Sequence, residues 1–312
     1  LISAALMLAL TLAGCGNDRP AAPTASKPLK VALFQIVEHP AVNALRDGFQ
    51  EVVKAAGPIG GREVIFDAKN AQNDTTLVEQ MADRYVAEKF DLVYVMGTPC
   101  AMSMAAKTKT IPIVLGAMTD PVDAGIAASW EASGRNVCGT SDLPPVEAQF
   151  DLAKRLVPSV KRLGVLYNGG EKNSVATIKR ARTAAQKAGW ELIERTATTT
   201  AEVGPAVTSF IGKCDAIYLP PDNTIYAALE TVLQTAAASK QPVFGCTEDL
   251  VERGALFGLT VDYTELGRLS GRIALEVLKG ADPKSMPNRV IDKPSVVPNQ
   301  KTAEALGITL SD

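Results

Sequence analysis

Residues 29–57 read LKVALFQIVEHPAVNALRDGFQEVVKAAG. Leu29 to Phe34 is a short apolar run of strand length, and Ala41 to Ala56 continues at helical spacing until Gly57-Pro58 stops it. Strand, polar turn and helix together make a βα unit, and the unit recurs. Glu63 to Phe66 and Leu92 to Met96 read as strands, with a helix between them that Asn73 or Asp74 caps and that runs to about Lys89. Pro99 in a first helical turn starts Cys100 to Lys107, and Ile111 to Leu115 is the next strand. Such alternation predicts a parallel, doubly wound sheet.

The pattern then restarts. Helices at Val146–Leu156, Ser174–Ala188, Ala201–Ile211 and Ile225–Ala238 alternate with strands at Leu163–Tyr167, Glu191–Arg195, Ala216–Leu219, Pro242–Phe244 and Ala255–Leu259. The expected fold class is α/β, with two doubly wound parallel-sheet lobes. Gly139 to Pro145, with Asp142 and two prolines, reads as the first hinge. Tyr263–Lys279 is expected to return to the first lobe, and the proline-spaced tail Asp282–Pro298 to cross again. Lobe 1 is thus assigned residues 29–140 plus about 262–285, and lobe 2 residues 141–261 plus about 286–312.

The first residues have a different character. Leu1 to Leu12 is almost continuously apolar and closes on Leu12-Ala13-Gly14-Cys15, which reads as a signal-peptide core ending at a lipidation site. Residues 1–14 are assigned to a signal peptide whose start is clipped, since no Met or basic segment precedes the apolar run. Cys15 is the expected lipidated residue, and residues 15–28, rich in Ala, Pro, Ser and Thr, are the expected tether. A plain secretory signal with a chance cysteine is the bland alternative. Either reading places the protein outside the cytoplasm, and the first holds it to a membrane.

At 312 residues and 46% hydrophobic, the chain can bury the cores of two domains. A net charge of −2, with Lys and Arg dispersed, leaves no basic stripe for nucleic acid. Of five cysteines, Cys15 is taken; Cys214 and Cys246 fall at opposite ends of neighbouring strands, too far apart to bridge. Cys100 and Cys138 are left open. His39 is the single histidine, so no His-based metal site and no Ser or Cys triad with its usual base is expected. Glu38 and Asp249 could form a carboxylate pair, but the neighbouring turns carry nothing that suggests glycoside chemistry. Neither a cofactor nor an enzymatic activity is expected.

In open α/β sheets, ligands bind at the carboxyl ends of the strands, where exposed N–H groups of helix N-termini favour anions. The residues that follow the strands are polar throughout: Glu38 and His39, Thr98, Thr119 and Asp120, Tyr167 and Asn168 with Asn173 and Ser174, Asp222-Asn223-Thr224, Asp249, and Asp262-Tyr263. Each has an ordinary explanation. Thr98, Asn223 and Thr224 are common caps, Asn168-Gly169-Gly170 a turn, Asp120-Pro121 a turn pair, Tyr167 a core residue and His39 a loop histidine. Their convergence on one edge makes a ring suited to a small zwitterion. The carboxylate is expected at Thr98, Asn168, Ser174 and Thr224, the ammonium at Asp249 or Asp120, and the side chain against His39, Tyr167 or Tyr263.

Several stretches also resemble a known family. Gln35-Ile36-Val37-Glu38-His39-Pro40-Ala41, Ile111-Pro112-Ile113-Val114 with Thr119-Asp120-Pro121, Tyr167-Asn168, Asp222-Asn223-Thr224 and Glu252-Arg253-Gly254-Ala255-Leu256 resemble the ABC transporter substrate-binding family that includes tryptophan- and tyrosine-binding lipoproteins. The likeness spans about Leu29 to Leu310. It implies a type I periplasmic-binding-protein fold with three crossovers, an ABC permease as partner and an aromatic α-amino acid as ligand; the expected mechanism is capture by hinge closure. A monomer is expected. The alternatives are a sugar, nucleoside or autoinducer on the same fold, or a sensory module.

Overall fold

The computed structural model describes residues 26–291 and 294–310. The signal segment, Cys15 and most of the tether therefore lie outside the described residues.

The chain builds β1 (Leu29–Gln35), α1 (Pro40–Ala55), β2 (Val64–Asn70), α2 (Thr75–Ala87), β3 (Leu92–Met96), α3 (Thr98–Lys107), β4 (Ile113–Gly116) and β5 (Val137–Ser141). It continues with α4 (Val146–Leu156), β6 (Arg162–Tyr167), α5 (Lys172–Ala188), β7 (Glu191–Thr196), α6 (Thr200–Thr208), β8 (Ala216–Leu219), α7 (Asn223–Ala227), α8 (Leu229–Ala238), β9 (Val243–Gly245), α9 (Glu248–Glu252) and β10 (Phe257–Thr260). Last come α10 (Tyr263–Leu278), β11 (Asn288–Val290), β12 (Ser295–Pro298) and α11 (Gln300–Leu306).

Two six-stranded sheets result, ordered β11-β5-β4-β3-β1-β2 and β12-β10-β9-β8-β6-β7. Strand periodicity explains their layering, because alternate residues point to opposite faces. In the first sheet Phe34, Val93, Val95 and Leu115 pack towards α2 and α3, through Ala82, Tyr85 and Met104. Val31, Leu33, Tyr94 and Val114 pack towards α1 and α10, through Leu45, Phe49 and Ile273. The second sheet repeats this, with Val165 and Tyr218 facing α4 and α5, and Leu166, Ile217 and Leu219 facing α6 and α8. Both faces being covered, inner strands such as β3 and β8 are apolar along their whole length.

The chain passes between the sheets after β5, after β10 and after β11. Helix α10 lies on α1 so closely that backbone meets backbone. A Cβ at Gly48 would stand 2.3 Å from Thr264 O, and one at Gly267 would stand 2.1 Å from Leu45 O.

Three expectations need correction. Val137–Ser141 is a buried inner strand between β4 and β11, so the first connection shortens to Asp142–Pro145. Its small polar residues hid it, since strand periodicity rests on apolar side chains. The first sheet keeps the chain to Val290, because Asn288 to Val290 pairs in parallel with Gly139 to Ser141; the last crossing follows that strand rather than residue 285. Finally, β12 runs antiparallel to β10 and forms an edge of the second sheet. Cys100, Cys138, Cys214 and Cys246 are all free thiols in the interior. Among the described residues no helix is long and apolar enough to cross a membrane.

Candidate functional site

The carboxyl ends of the two sheets meet across one cleft. The turns after β1, β3, β4, β8 and β9 surround about 690 Å³ of empty space, its mouth included. This is where an open α/β sheet places a ligand.

On the first lobe, Gln35 fixes the β1 turn by donating from Nε2 to Val37 O at 2.7 Å and Asn43 Oδ1 at 2.8 Å. Glu38 is exposed, its carboxylate accepting from Asn43 at 2.6 Å and Asn70 at 3.0 Å. Gly97 has a φ of 109°, and a Cβ there would stand 2.5 Å from Ile36 Cγ2. Only glycine lets the α3 N-terminus approach the β1 turn this closely. Thr98, 3% exposed, opens α3, and its hydroxyl has no partner among the described residues. Ala117, which lines the cavity just after β4, holds a left-handed φ of 51°. Such strain, worth roughly 1–3 kcal/mol, gathers at functional sites.

At the first crossing, Asp142 accepts from the Thr119 hydroxyl at 3.0 Å and from the Tyr263 hydroxyl at 3.2 Å. Burial pushes its carboxyl above the usual range, against the pull of those two hydroxyls. A cation beside it would favour its charged form.

The second lobe is organised differently. The Glu171 carboxylate accepts from Asn173 Nδ2, from the backbone N and Nδ2 of Asn223, and from the backbone N and hydroxyl of Thr224. Asp222 caps α7 by accepting from Ile225 N at 2.9 Å, and also takes Asn168 N and the Ser174 hydroxyl, both at 2.6 Å. Burial, then the neighbouring Glu171 charge, pushes the Asp222 carboxyl up. The α7 N-terminus is thus filled by carboxylates of the protein itself, and Asn173 Oδ1 is the buried acceptor left without a partner on this wall.

Of the residues expected at the site, Glu38, His39, Thr98, Thr119, Asn173, Asp222, Asn223 and Tyr263 line the cavity. The others are engaged elsewhere. Asp120 closes its own turn, accepting from Val122 N at 3.1 Å and Asp123 N at 2.9 Å. The Tyr167 hydroxyl donates to Glu194 at 2.9 Å, and Asp262 caps α10 by accepting from Glu265 N at 3.0 Å. Asn168, Ser174 and Thr224 belong to the Glu171–Asp222 network. Asp249 faces the adjoining groove from α9. Conversely, the cavity wall includes Asp142, Tyr226 and Thr247, which were not singled out. Asp142 stood in the hinge stretch and Thr247 in a polar turn, whereas Tyr226 falls inside an expected helix that breaks at Ala228, where φ is −116° and ψ 24°. No glycine or proline marks that break.

The family model described as ABC transporter substrate binding protein matches residues 30–312. The chain belongs to that family. A tyrosine-binding protein of Clostridioides difficile (strain R20291) is 36% identical over 98% of this chain and 91% of its own length. Two solved structures each share 34% identity and cover 91% of this chain and 96% of their own. One is an ABC domain in complex with L-Trp from Streptococcus pneumonia, with a TM-score of 0.87. The other is a ligand-free, open substrate-binding protein with adhesive properties from Clostridium difficile, with a TM-score of 0.70. At equal identity and coverage, the fold superposes more closely on the ligand-bound relative than on the ligand-free one. The fold is that of a type I periplasmic binding protein. As in its family, the protein binds a small molecule outside the cytoplasm, works with an ABC transporter, and is not an enzyme.

Proposed function

We propose that this substrate-binding protein captures an aromatic α-amino acid by closure of its two lobes and hands it to an importer. The observation that carries the reading is the polarity of the cleft. One wall offers the free Thr98 hydroxyl at the N-terminus of α3, suited to a carboxylate. The first crossing offers the buried Asp142 carboxylate, and the second wall the free Asn173 Oδ1, both suited to an ammonium. Between them lie His39, Tyr226 and Tyr263 with Ile36 and Val42, a lining for an apolar ring. The tyrosine-binding relative and the L-Trp complex point to the same ligand class. Asp142 replaces Asp249 and Asp120 as the ammonium partner, because it faces the cavity and they do not.

The lipid anchor at Cys15 belongs to the same reading and rests on Leu12-Ala13-Gly14-Cys15. So does action as a monomer.

Titration calorimetry against tyrosine, tryptophan, phenylalanine, leucine and a panel of sugars tests the ligand class. Asp142→Asn is expected to weaken aromatic amino-acid binding by on the order of a hundredfold, the cost of removing one side of a buried charge pair. Unchanged affinity in that variant would refute the ammonium assignment. Binding of a sugar in preference to any amino acid would refute the ligand class.

A further inference from the structure

His39 touches the second lobe as well as the cavity. Its Nδ1 accepts from Ala41 N at 3.3 Å at the start of α1, which leaves Nε2 as the ring nitrogen that carries a proton. That Nε2 stands 3.2 Å from Asp249 Oδ2 on α9. The ring also meets Tyr226 of α7 edge-on, with centroids 5.5 Å apart. Both partners belong to the other lobe.

Asp249 is 8% exposed, and neither of its oxygens meets hydrogen-bond geometry with a donor among the described residues. The Nε2 approach also lacks hydrogen-bond geometry, so the contact is a close approach of the ring edge to the carboxylate. Arg253 is farther away, at 3.8 Å, and exposed. Burial raises the Asp249 carboxyl most of any single influence, yet His39, and after it Thr247 and Arg253, together hold it below its usual range. A buried carboxylate whose nearest basic side chain comes from the opposite lobe loses that partner when the lobes part. The other rim of the cleft is joined differently. Lys179 of α5 pairs with Asp123 at 2.5 Å, an exposed contact of the kind that contributes little.

We propose that His39 and Asp249 form a latch that holds the lobes closed, with Asp249 acting through His39 rather than on the ligand. The inference rests on the hinge-closure reading above and adds a positioning residue to it.

Asp249→Ala tests the latch by stopped-flow binding of the tightest amino acid. Dissociation is expected to quicken about tenfold while association stays within about twofold, because ligand enters the open form. Asp249→Asn, which keeps the shape and one acceptor oxygen, should fall between wild type and alanine and guards against misfolding of the alanine variant. Lys179→Ala should change dissociation less than about twofold. A latch weakens the amino acid and its des-amino analogue by the same factor; a loss confined to the amino acid would put Asp249 on the ligand ammonium and overturn the proposal. Unchanged or tighter binding would also overturn it. If wild type binds no amino acid, the ligand reading fails alone. The latch is then judged by a dye pair reporting lobe separation in protein with its co-purified ligand, where Asp249→Ala must lower the closed population and an unchanged population refutes it.

Discussion

The two walls of the cleft are written in the same alphabet and built to opposite ends. Each places polar residues and a helix N-terminus after its strands. On the first lobe the α3 N-terminus is left with an unpartnered Thr98 hydroxyl, and a strained Ala117 stands nearby. On the second lobe Glu171 and Asp222 occupy the α7 N-terminus and take up Asn168, Ser174, Asn223 and Thr224. The first wall is incomplete without a ligand, and the second is nearly complete without one. A helix N-terminus is therefore an anion site only where the protein has not filled it already.

The comparison breaks most visibly at Glu171. Glu171→Gln puts an amide where the carboxylate accepts only donors, so Asn173, Asn223 or Thr224 must lose a partner in either amide orientation. Each buried group left unpaired costs about 1–3 kcal/mol, so a clear fall in melting temperature is expected in ligand-free protein. A melting temperature within a degree of wild type would show that this wall is less tightly knit than its geometry implies. Thr98→Val should give the opposite pattern. It removes a hydroxyl that no described residue uses, so stability should hold or rise. Affinity should fall by roughly tenfold or more, as for a lost hydrogen bond to a charged group of about 1.5–3 kcal/mol. If thermal scanning and calorimetry instead show stability falling and affinity holding, Thr98 is structural and the two walls are alike.

The difference between the walls also explains what could be read before the structure. The βα units were legible because apolar runs such as Leu92–Met96 and Ala216–Leu219 coincide with the strands. The edge on which the site lies was legible too, since it follows from sheet topology. Occupancy was not. Thr98 and Thr224 look equivalent in sequence, and what separates them is Glu171, 53 positions from Thr224 and in a different turn. Asp142 escaped selection for a related reason. It belongs to a crossing, and its place in the cavity depends on Tyr263 arriving from the far end of the chain, 121 positions away.

The smallest effect separates the carboxylates at the crossing and on the second wall. Burial raises Asp142 in the ligand-free protein, and a bound ammonium would favour its charged form and lower it again. Affinity should therefore be complete above the raised ligand-free value and decline as pH falls through it, by at most about tenfold per pH unit for one proton. Asp222 is also raised, but as part of the folded wall. Its folded value exceeds its unfolded one, so it contributes stability as pH falls through the folded value and loses that contribution as pH rises. Lowering pH from neutrality towards the carboxylate range should thus weaken binding without destabilising this network. Calorimetry at stepped pH should show a slope in wild type that Asp142→Asn abolishes. A slope that survives in Asp142→Asn would place the linked proton on the second wall, at Asp222, and the wall taken as complete would then be taking part in binding.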